Sequence, residues 1–146
     1  WSSDVCSSDL LGTVPGFARV ITNCRDYTKL MQMLANGGIH NGEHILGRKT
    51  IDLIRTNTLT PTMIKEDFSN DYLAGYGYGY GMRTLMNRYE GQHNGMLGQF
   101  GWTGGSGTWA ECDPETGLSI VYMHNLQPNL EQYHHLRMRE VAYGCL

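Results

Sequence analysis

The sequence predicts an α+β fold in which helices flank an antiparallel sheet. Two helix-like segments come first, four strand-like segments follow, and one more helix-like segment ends the chain. Short turns join the later strands, and short connections make successive strands antiparallel neighbours. Helices packed against such a sheet form an α+β layer structure. With 146 residues, the chain has the length of one ordinary domain.

The first ten residues differ from the rest of the chain. They read WSSDVCSSDL and repeat Ser-Ser-Asp after five residues. They have no apolar stretch of the signal-peptide kind and no helical or strand period. Residues 4–10 resemble the in-frame translation of a short-read sequencing adapter; the alternative is a natural Ser/Asp-rich arm. We therefore interpret 1–10 as an artefactual leader and 11–146 as the native sequence.

The first native element is expected to be a helix. Thr22 or Asn23 is its N-cap, and the charge of Asp26 stabilises its first turn. Its apolar residues recur at i, i+3, i+4 and i+7, which makes one stripe: Tyr27, Leu30, Met31 and Leu34. Asn36, Gly37 and Gly38 end the helix, because these residues tolerate the left-handed conformation.

The following segments alternate between turns and regular structure. Residues 40–43 are expected to form a turn, and a second helix is predicted over 48–56, with Ile51 and Ile54 buried. Residues 58–70 are polar and contain Pro61, which favours a loop. Residues 88–98 are also interpreted as a polar loop.

Residues 75–81 alternate Gly and Tyr and predict a strand. Tyr76, Tyr78 and Tyr80 would share one face, and four glycines the other. A glycine face allows a helix to pack unusually close. The tyrosines could belong to the core or to the wall of a pocket, and the core interpretation is favoured because aromatic alternation is common in strands.

Three more strands are predicted, over 98–103, 107–113 and 118–124, with 113–117 as a hairpin connection. A final helix is predicted over 129–143. Six of its residues are expected to share one face: Leu130, Tyr133, His134, Met138, Val141 and Cys145. Gln132, His135 and Arg139 would lie on the opposite face, with His134 and His135 as surface and packing residues.

Composition excludes several classes of function. The net charge of −3 does not favour nucleic acid or an anionic membrane as a partner. No apolar run approaches the roughly 18 residues that a membrane span needs. Cys24, Cys112 and Cys145 lack metal-site spacing, so we interpret them as unpaired, buried thiols rather than a metal or disulfide site. No cofactor is expected.

The most informative run is residues 99–108, which read Gln-Phe-Gly-Trp-Thr-Gly-Gly-Ser-Gly-Thr. Glycines inside a strand pack nothing and weaken it, so they indicate a close approach by another backbone or by a ligand. A Gly-rich turn between two strands explains the same residues. Ser106 is not expected to be a Gly-x-Ser-x-Gly nucleophile, since that turn leads into a helix and a strand is predicted here.

This run resembles the third motif of the serine β-lactamase and penicillin-binding-protein superfamily, Lys-Thr-Gly. In its class C and esterase-like branch the first position is often His or Trp, so Trp102, Thr103 and Gly104 match the motif. Residues 22–38, 45–57, 75–82 and 113–125 resemble later segments of that branch in the same order. The resemblance implies the C-terminal part of a β-lactamase/transpeptidase-like fold.

The resemblance also implies roles. Trp102, Thr103 and Gly104 would bind the substrate, and the N–H of Gly105 would be one oxyanion-hole donor. The nucleophile and base are expected outside this chain, because no Ser is followed at +3 by Lys and no Tyr at +2 by Asn. The chain is therefore expected to be the inactive C-terminal portion of a serine hydrolase of carboxylic esters or related acyl compounds.

The expected partners are a small-molecule ester or acyl substrate and the N-terminal half of the same domain. The alternative is a non-enzymatic α+β module that binds a ligand through the tyrosine face and the Gly-rich loop. The sequence leaves the localisation open.

Overall fold

The computed structural model describes residues 22–70 and 72–146, so the interpretation of residues 1–10 as a leader lies outside the described residues. The helices of this part are α1 (Cys24–Ala35), α2 (Arg48–Ile54), α3 (Pro61–Asp67), α4 (Arg88–Gly91) and α5 (Glu131–Tyr143). The strands are β1 (Ile39–His40), β2 (Glu43–His44), β3 (Tyr76–Tyr78), β4 (Arg83–Leu85), β5 (Phe100–Thr103), β6 (Trp109–Asp113) and β7 (Leu118–Tyr122). None of the helices in the described ranges is long and apolar enough to cross a membrane.

The predicted α+β fold is confirmed. Strands β3 to β7 form one antiparallel sheet in sequence order, and β1 and β2 form a separate hairpin where only a turn was expected. The sheet has five strands rather than four, because β4 was not predicted. Its three residues are too few to show alternation.

One face of the sheet carries the apolar core. Helix α1 begins at the predicted cap, where the Asn23 side chain accepts a hydrogen bond from the Asp26 N–H. It buries Met31 and Leu34 as expected, whereas Leu30 is exposed. The core on this face consists of Met31, Met33, Leu34, Ala35, Ile51, Phe100, Ala110 and Cys112.

The glycine face of the tyrosine segment packs closely, as predicted. A Cβ added at Gly77 would lie 2.5 Å from the Asn57 amide group, and one added at Gly79 would overlap the carbonyl oxygen of Ile54, the last residue of α2. The strand is shorter than expected because Gly81 has a φ of +83°. As a result Tyr80 is exposed, which contradicts a core role for it.

The prediction of a loop over 58–70 is wrong, because this segment contains α3. The Thr60 hydroxyl accepts a hydrogen bond from the Met63 N–H, and Pro61 occupies the first turn. Both are helix-start signals, since Pro lacks an N–H that this turn would leave unpaired. The helix ends at Asp67, and Phe68 follows as its C-cap.

The final helix packs against the sheet through its polar face. Helix α5 buries His135 and Arg139, whereas Tyr133, Met138 and Val141 are exposed. The helix lies over the polar side of β6. The apolar face that the sequence shows therefore points outward.

A buried ion cluster joins α5 to the sheet. Arg139 donates two hydrogen bonds of 3.1 Å to the Glu111 carboxylate, and Arg83 of β4 lies 4.0 Å from the same group. All three side chains are at most 2% exposed. Burial disfavours the charge of Arg139, but the nearby carboxylate outweighs burial and raises the pKa of this guanidinium. Glu111 therefore compensates two buried cations.

The cysteines agree only in part with the expectation. Cys24, Cys112 and Cys145 are free, as predicted, but only Cys112 is buried. Burial and the neighbouring Glu111 raise the pKa of the Cys112 thiol.

We predict that Gly79→Ala lowers the free energy of unfolding by about 2 kcal/mol, because a methyl group overlapping a backbone carbonyl forces the packing apart. Urea denaturation measures the change. Gly105→Ala is the matched control, since a Cβ there meets no atom within 4 Å. Equal stability of both variants would contradict the close packing of β3 against α2.

We predict that Glu111→Leu lowers the free energy of unfolding by about 4 kcal/mol, because it leaves two buried guanidinium groups without an anion. Arg139→Met should lower it less, since Arg83 still faces the carboxylate at 4.0 Å. Glu115→Leu, at an exposed turn position, is the control. Chemical denaturation of the three variants gives the order, and a larger loss for Arg139→Met would contradict the shared role of Glu111.

Candidate functional site

The C-terminal end of β5 is an open edge within the sheet. Trp102 and Thr103 pair with β6, but within the described residues the β4 partners reach only Phe100 and Gly101. The Gly104 N–H donates to the Thr108 carbonyl, so the backbone of Gly104 points towards β6. In an antiparallel ladder neighbouring residues point to opposite sides. The N–H and C=O of Thr103 therefore face the side that β4 leaves unpaired.

A tight turn follows this edge. The Gly107 N–H donates to the Gly104 carbonyl at 2.9 Å, and Gly107 has a φ of +89°, which favours glycine. An added Cβ would strike Thr108 Oγ1 at Gly104 and the His124 ring at Gly107. Strand β6 begins at Trp109, so the segment after Ser106 is a strand, as predicted. A nucleophile elbow is therefore excluded.

Gly105 lies at the exposed tip of this turn. Its carbonyl accepts a hydrogen bond of 2.9 Å from the Gln127 amide, which also donates to the Ser106 hydroxyl at 3.0 Å. Within 22–70 and 72–146, the Gly105 N–H has no hydrogen-bond partner. The turn therefore holds the carbonyl side of Gly105 and leaves its N–H donor available.

Trp102 belongs to a cluster of three aromatic rings with Phe68 and Tyr78, here called the aromatic cluster. The Trp102 ring is stacked on Phe68, with centroids 6.4 Å apart, and meets Tyr78 edge-on at 5.1 Å. Trp102 is 40% exposed, so part of its surface remains open to solvent. Helix α3 positions Phe68, which sequence analysis placed in a loop. The aromatic cluster forms an apolar wall beside the open edge of β5.

Thr103 has a charged neighbour that sequence analysis did not identify. Its hydroxyl donates a hydrogen bond of 3.3 Å to a carboxylate oxygen of Glu131, the first residue of α5. The Glu131 N–H is held in turn by the side chain of Asn129 at 3.3 Å. The last residue of β5 and the first residue of α5 therefore meet at the candidate site.

A chain of hydrogen bonds connects the ion cluster to the Gly-rich turn. Arg83 donates to the Tyr72 hydroxyl at 2.9 Å, and this hydroxyl lies 2.7 Å from Nδ1 of His135. Nε2 of His135 lies 2.7 Å from the Gly107 carbonyl, which can only accept. Nε2 of His135 therefore carries a proton, and in the neutral imidazole the Tyr72 hydroxyl donates to Nδ1.

Electrostatics agree with the neutral imidazole. The pKa of His135 is lowered to about 4, mainly by burial and with a smaller contribution from nearby cations, although its bond to the Gly107 carbonyl works in the opposite direction. Arg83 and Arg139 contribute to the lowering, because two nearby cations disfavour a third charge. At neutral pH the His135 side chain therefore fixes the Gly-rich turn through its hydrogen bond to the Gly107 carbonyl.

The four residues of the predicted site lie together: Trp102, Thr103, Gly104 and Gly105. Their neighbours Phe68 and Glu131 were not predicted. His135 has a packing role, as expected, but it is buried rather than at the surface. An available signal was the charge of Glu111 inside the apolar strand β6, because a buried carboxylate needs a cation nearby. That requirement points Arg139, and with it His135, towards the sheet.

The described chain also has a cavity outside the motif. A cavity of about 660 Å³ lies away from the motif and is bordered by Arg55, Thr84 and Gly98. Across residues 22–70 and 72–146, no three His, Cys, Asp or Glu side chains are grouped to hold a metal ion.

The chain matches a known protein family and is similar to a mycobacterial protein. The family model "Beta-lactamase" matches residues 4–143. Protein Rv1367c of Mycobacterium tuberculosis is 28% identical over 109 residues, which are 72% of this chain and 27% of that protein.

Solved structures show the same fold. A penicillin-binding protein homologue from Caulobacter crescentus matches with a TM-score of 0.69 and 25% identity, over 86% of this chain and 32% of that one. EstCE1, a hydrolase with promiscuous acyltransferase activity, matches with a TM-score of 0.67 and 22% identity, over 84% of this chain and 30% of that one. The chain spans about a third or less of the length of these proteins. With a family match over almost its whole length and this fold, the chain belongs to the β-lactamase family.

Proposed function

We propose that this chain supplies one wall of the acyl-transfer site of a serine hydrolase that acts on carboxylic esters or related acyl compounds. The observation that carries the proposal is the open edge of β5, with a Gly105 N–H at its end that has no acceptor among the described residues. Family membership supports acyl-enzyme chemistry. The nucleophile and base would come from an N-terminal half of the same domain, so the chain by itself would be inactive.

Each group of the wall has a role in this proposal. A Ser from the other half attacks the carbonyl carbon of the ester, and the carbonyl oxygen gains negative charge. The Gly105 N–H donates to this oxyanion, where a preorganised donor is worth about 3 kcal/mol. The alcohol leaves, and water then releases the acid from the acyl-enzyme. The free backbone groups of Thr103 would hydrogen-bond the acyl portion along the strand edge.

The residue at the first motif position indicates the substrate class. Trp102 stands where the resembled motif has Lys, and it offers an apolar surface in place of a cation. A substrate carboxylate at such a wall has no ionic partner, and leaving a partly buried charge unpaired is costly. The proposed substrates are therefore uncharged or weakly polar esters, and β-lactam hydrolysis would be slow.

We predict that Gly105→Pro lowers kcat of the full-length protein on an activated ester by about 100-fold or more, because it removes the N–H donor. Gly105→Ala is the matched control, since it keeps the donor and its Cβ meets no atom of the described residues of this chain within 4 Å. Melting temperatures of the two variants establish that both are folded. Unchanged kcat in a folded Gly105→Pro variant would refute the oxyanion role.

We predict that the full-length protein has a higher kcat/KM on a short-chain aryl ester than on a penicillin, because Trp102 provides no cation for the penicillin carboxylate. Steady-state kinetics on both substrates measure the ratio, and mass spectrometry detects the acyl-enzyme. The isolated 146-residue chain is the control and should show no turnover. A higher kcat/KM on the penicillin would refute the esterase assignment.

A further inference from the structure

We propose that Glu131 is a specificity-determining residue of this site, one that selects against acyl groups carrying a carboxylate and favours neutral or cationic ones. This inference rests on the proposed function and adds a second determinant on a different element from Trp102. It depends on the contact between Thr103 Oγ1 and Glu131, the direction of that hydrogen bond, and the absence of a compensating cation among the described residues.

The hydrogen bond sets what Thr103 can offer a substrate. A carboxylate only accepts hydrogen bonds, so in the 3.3 Å contact the Thr103 hydroxyl is the donor. The single proton of the hydroxyl is then committed to Glu131. Towards a substrate Thr103 presents only lone pairs, which suit a donor such as an N–H group and repel the oxygens of a carboxylate.

The charge of Glu131 is not neutralised locally. Among residues 22–70 and 72–146, no Lys, Arg or His nitrogen lies within 4.0 Å of its carboxylate. The buried guanidinium groups of Arg83 and Arg139 face Glu111 instead. Burial raises the pKa of the Tyr72 hydroxyl, and the negative charge of Glu131 also acts to raise it. The charge of Glu131 is therefore felt by a side chain in the interior.

The placement of Glu131 makes this charge effective at the site. The residue is half-buried at the start of α5, where it is less screened than an exposed side chain. Its partner Thr103 is the residue whose backbone faces the open edge. A substrate bound along this edge would therefore meet a negative charge next to Thr103, on the face of the sheet that α5 covers.

The test compares three 4-nitrophenyl esters whose acyl chains have equal length and end in methyl, carboxylate or trimethylammonium. The full-length protein should have the lowest kcat/KM on the carboxylate ester. Glu131→Gln keeps the size and an accepting oxygen but removes the charge. It should raise kcat/KM for the carboxylate ester about tenfold relative to the methyl ester and lower it for the cationic ester. The differences should shrink at high salt.

Glu140→Gln is the matched control, because this residue is an exposed glutamate on the same helix. It should leave all three ratios unchanged, and melting temperatures should show that both variants fold. If wild type turns over the esters and Glu131→Gln leaves the ratios unchanged, the inference about Glu131 is wrong while the proposed function stands. If wild type forms no acyl-enzyme with any ester, the proposed function is wrong and the inference falls with it.

Discussion

The rest of the structure depends on the compensation of one buried carboxylate. Glu111 lies in the middle of β6 and is shared by Arg139 of α5 and Arg83 of β4. A buried charge without a partner is far more costly than a mismatched apolar contact. This requirement fixes which face of α5 turns to the sheet, even though the outward residues of that helix are more apolar.

The orientation of α5 in turn builds the candidate site. With Arg139 turned inward, His135 lies one helical turn earlier on the same face and holds the Gly107 carbonyl at 2.7 Å. The helix start brings Glu131 against Thr103. Helix α5 therefore contributes both to the buried ion cluster, through Arg139, and to the candidate site, through Glu131.

Different kinds of interaction stabilise the two faces of the sheet. On the α1 face, apolar side chains such as Met31 and Phe100 exclude water and need little directional precision. On the α5 face, charged and hydrogen-bonding groups must be matched in pairs, and this gives the Gly-rich turn a defined position. A site that depends on the placement of a backbone N–H benefits from support of the second kind.

The sequence by itself determined the fold class, the start of α1 to within the pair Thr22 and Asn23, the strands β5, β6 and β7, and the close packing at Gly79. These features depend on neighbours in the chain, through caps, alternation and turn residues. The family also followed from short motifs in a fixed order. The helix α3 was readable as well, since its signals at Thr60 and Pro61 are local, but the polar composition obscured them.

Only the tertiary structure decided the inward face of α5, the strand β4 and the contact between Thr103 and Glu131. Strand β4 is too short to show a period, whereas α5 is oriented by a charge on another element and Thr103 lies 28 residues from Glu131. Hydrophobic periodicity assumes that the surface opposite a helix is apolar. Here that surface contains Glu111, so the energy of a buried ion cluster outweighed the pattern of the helix itself.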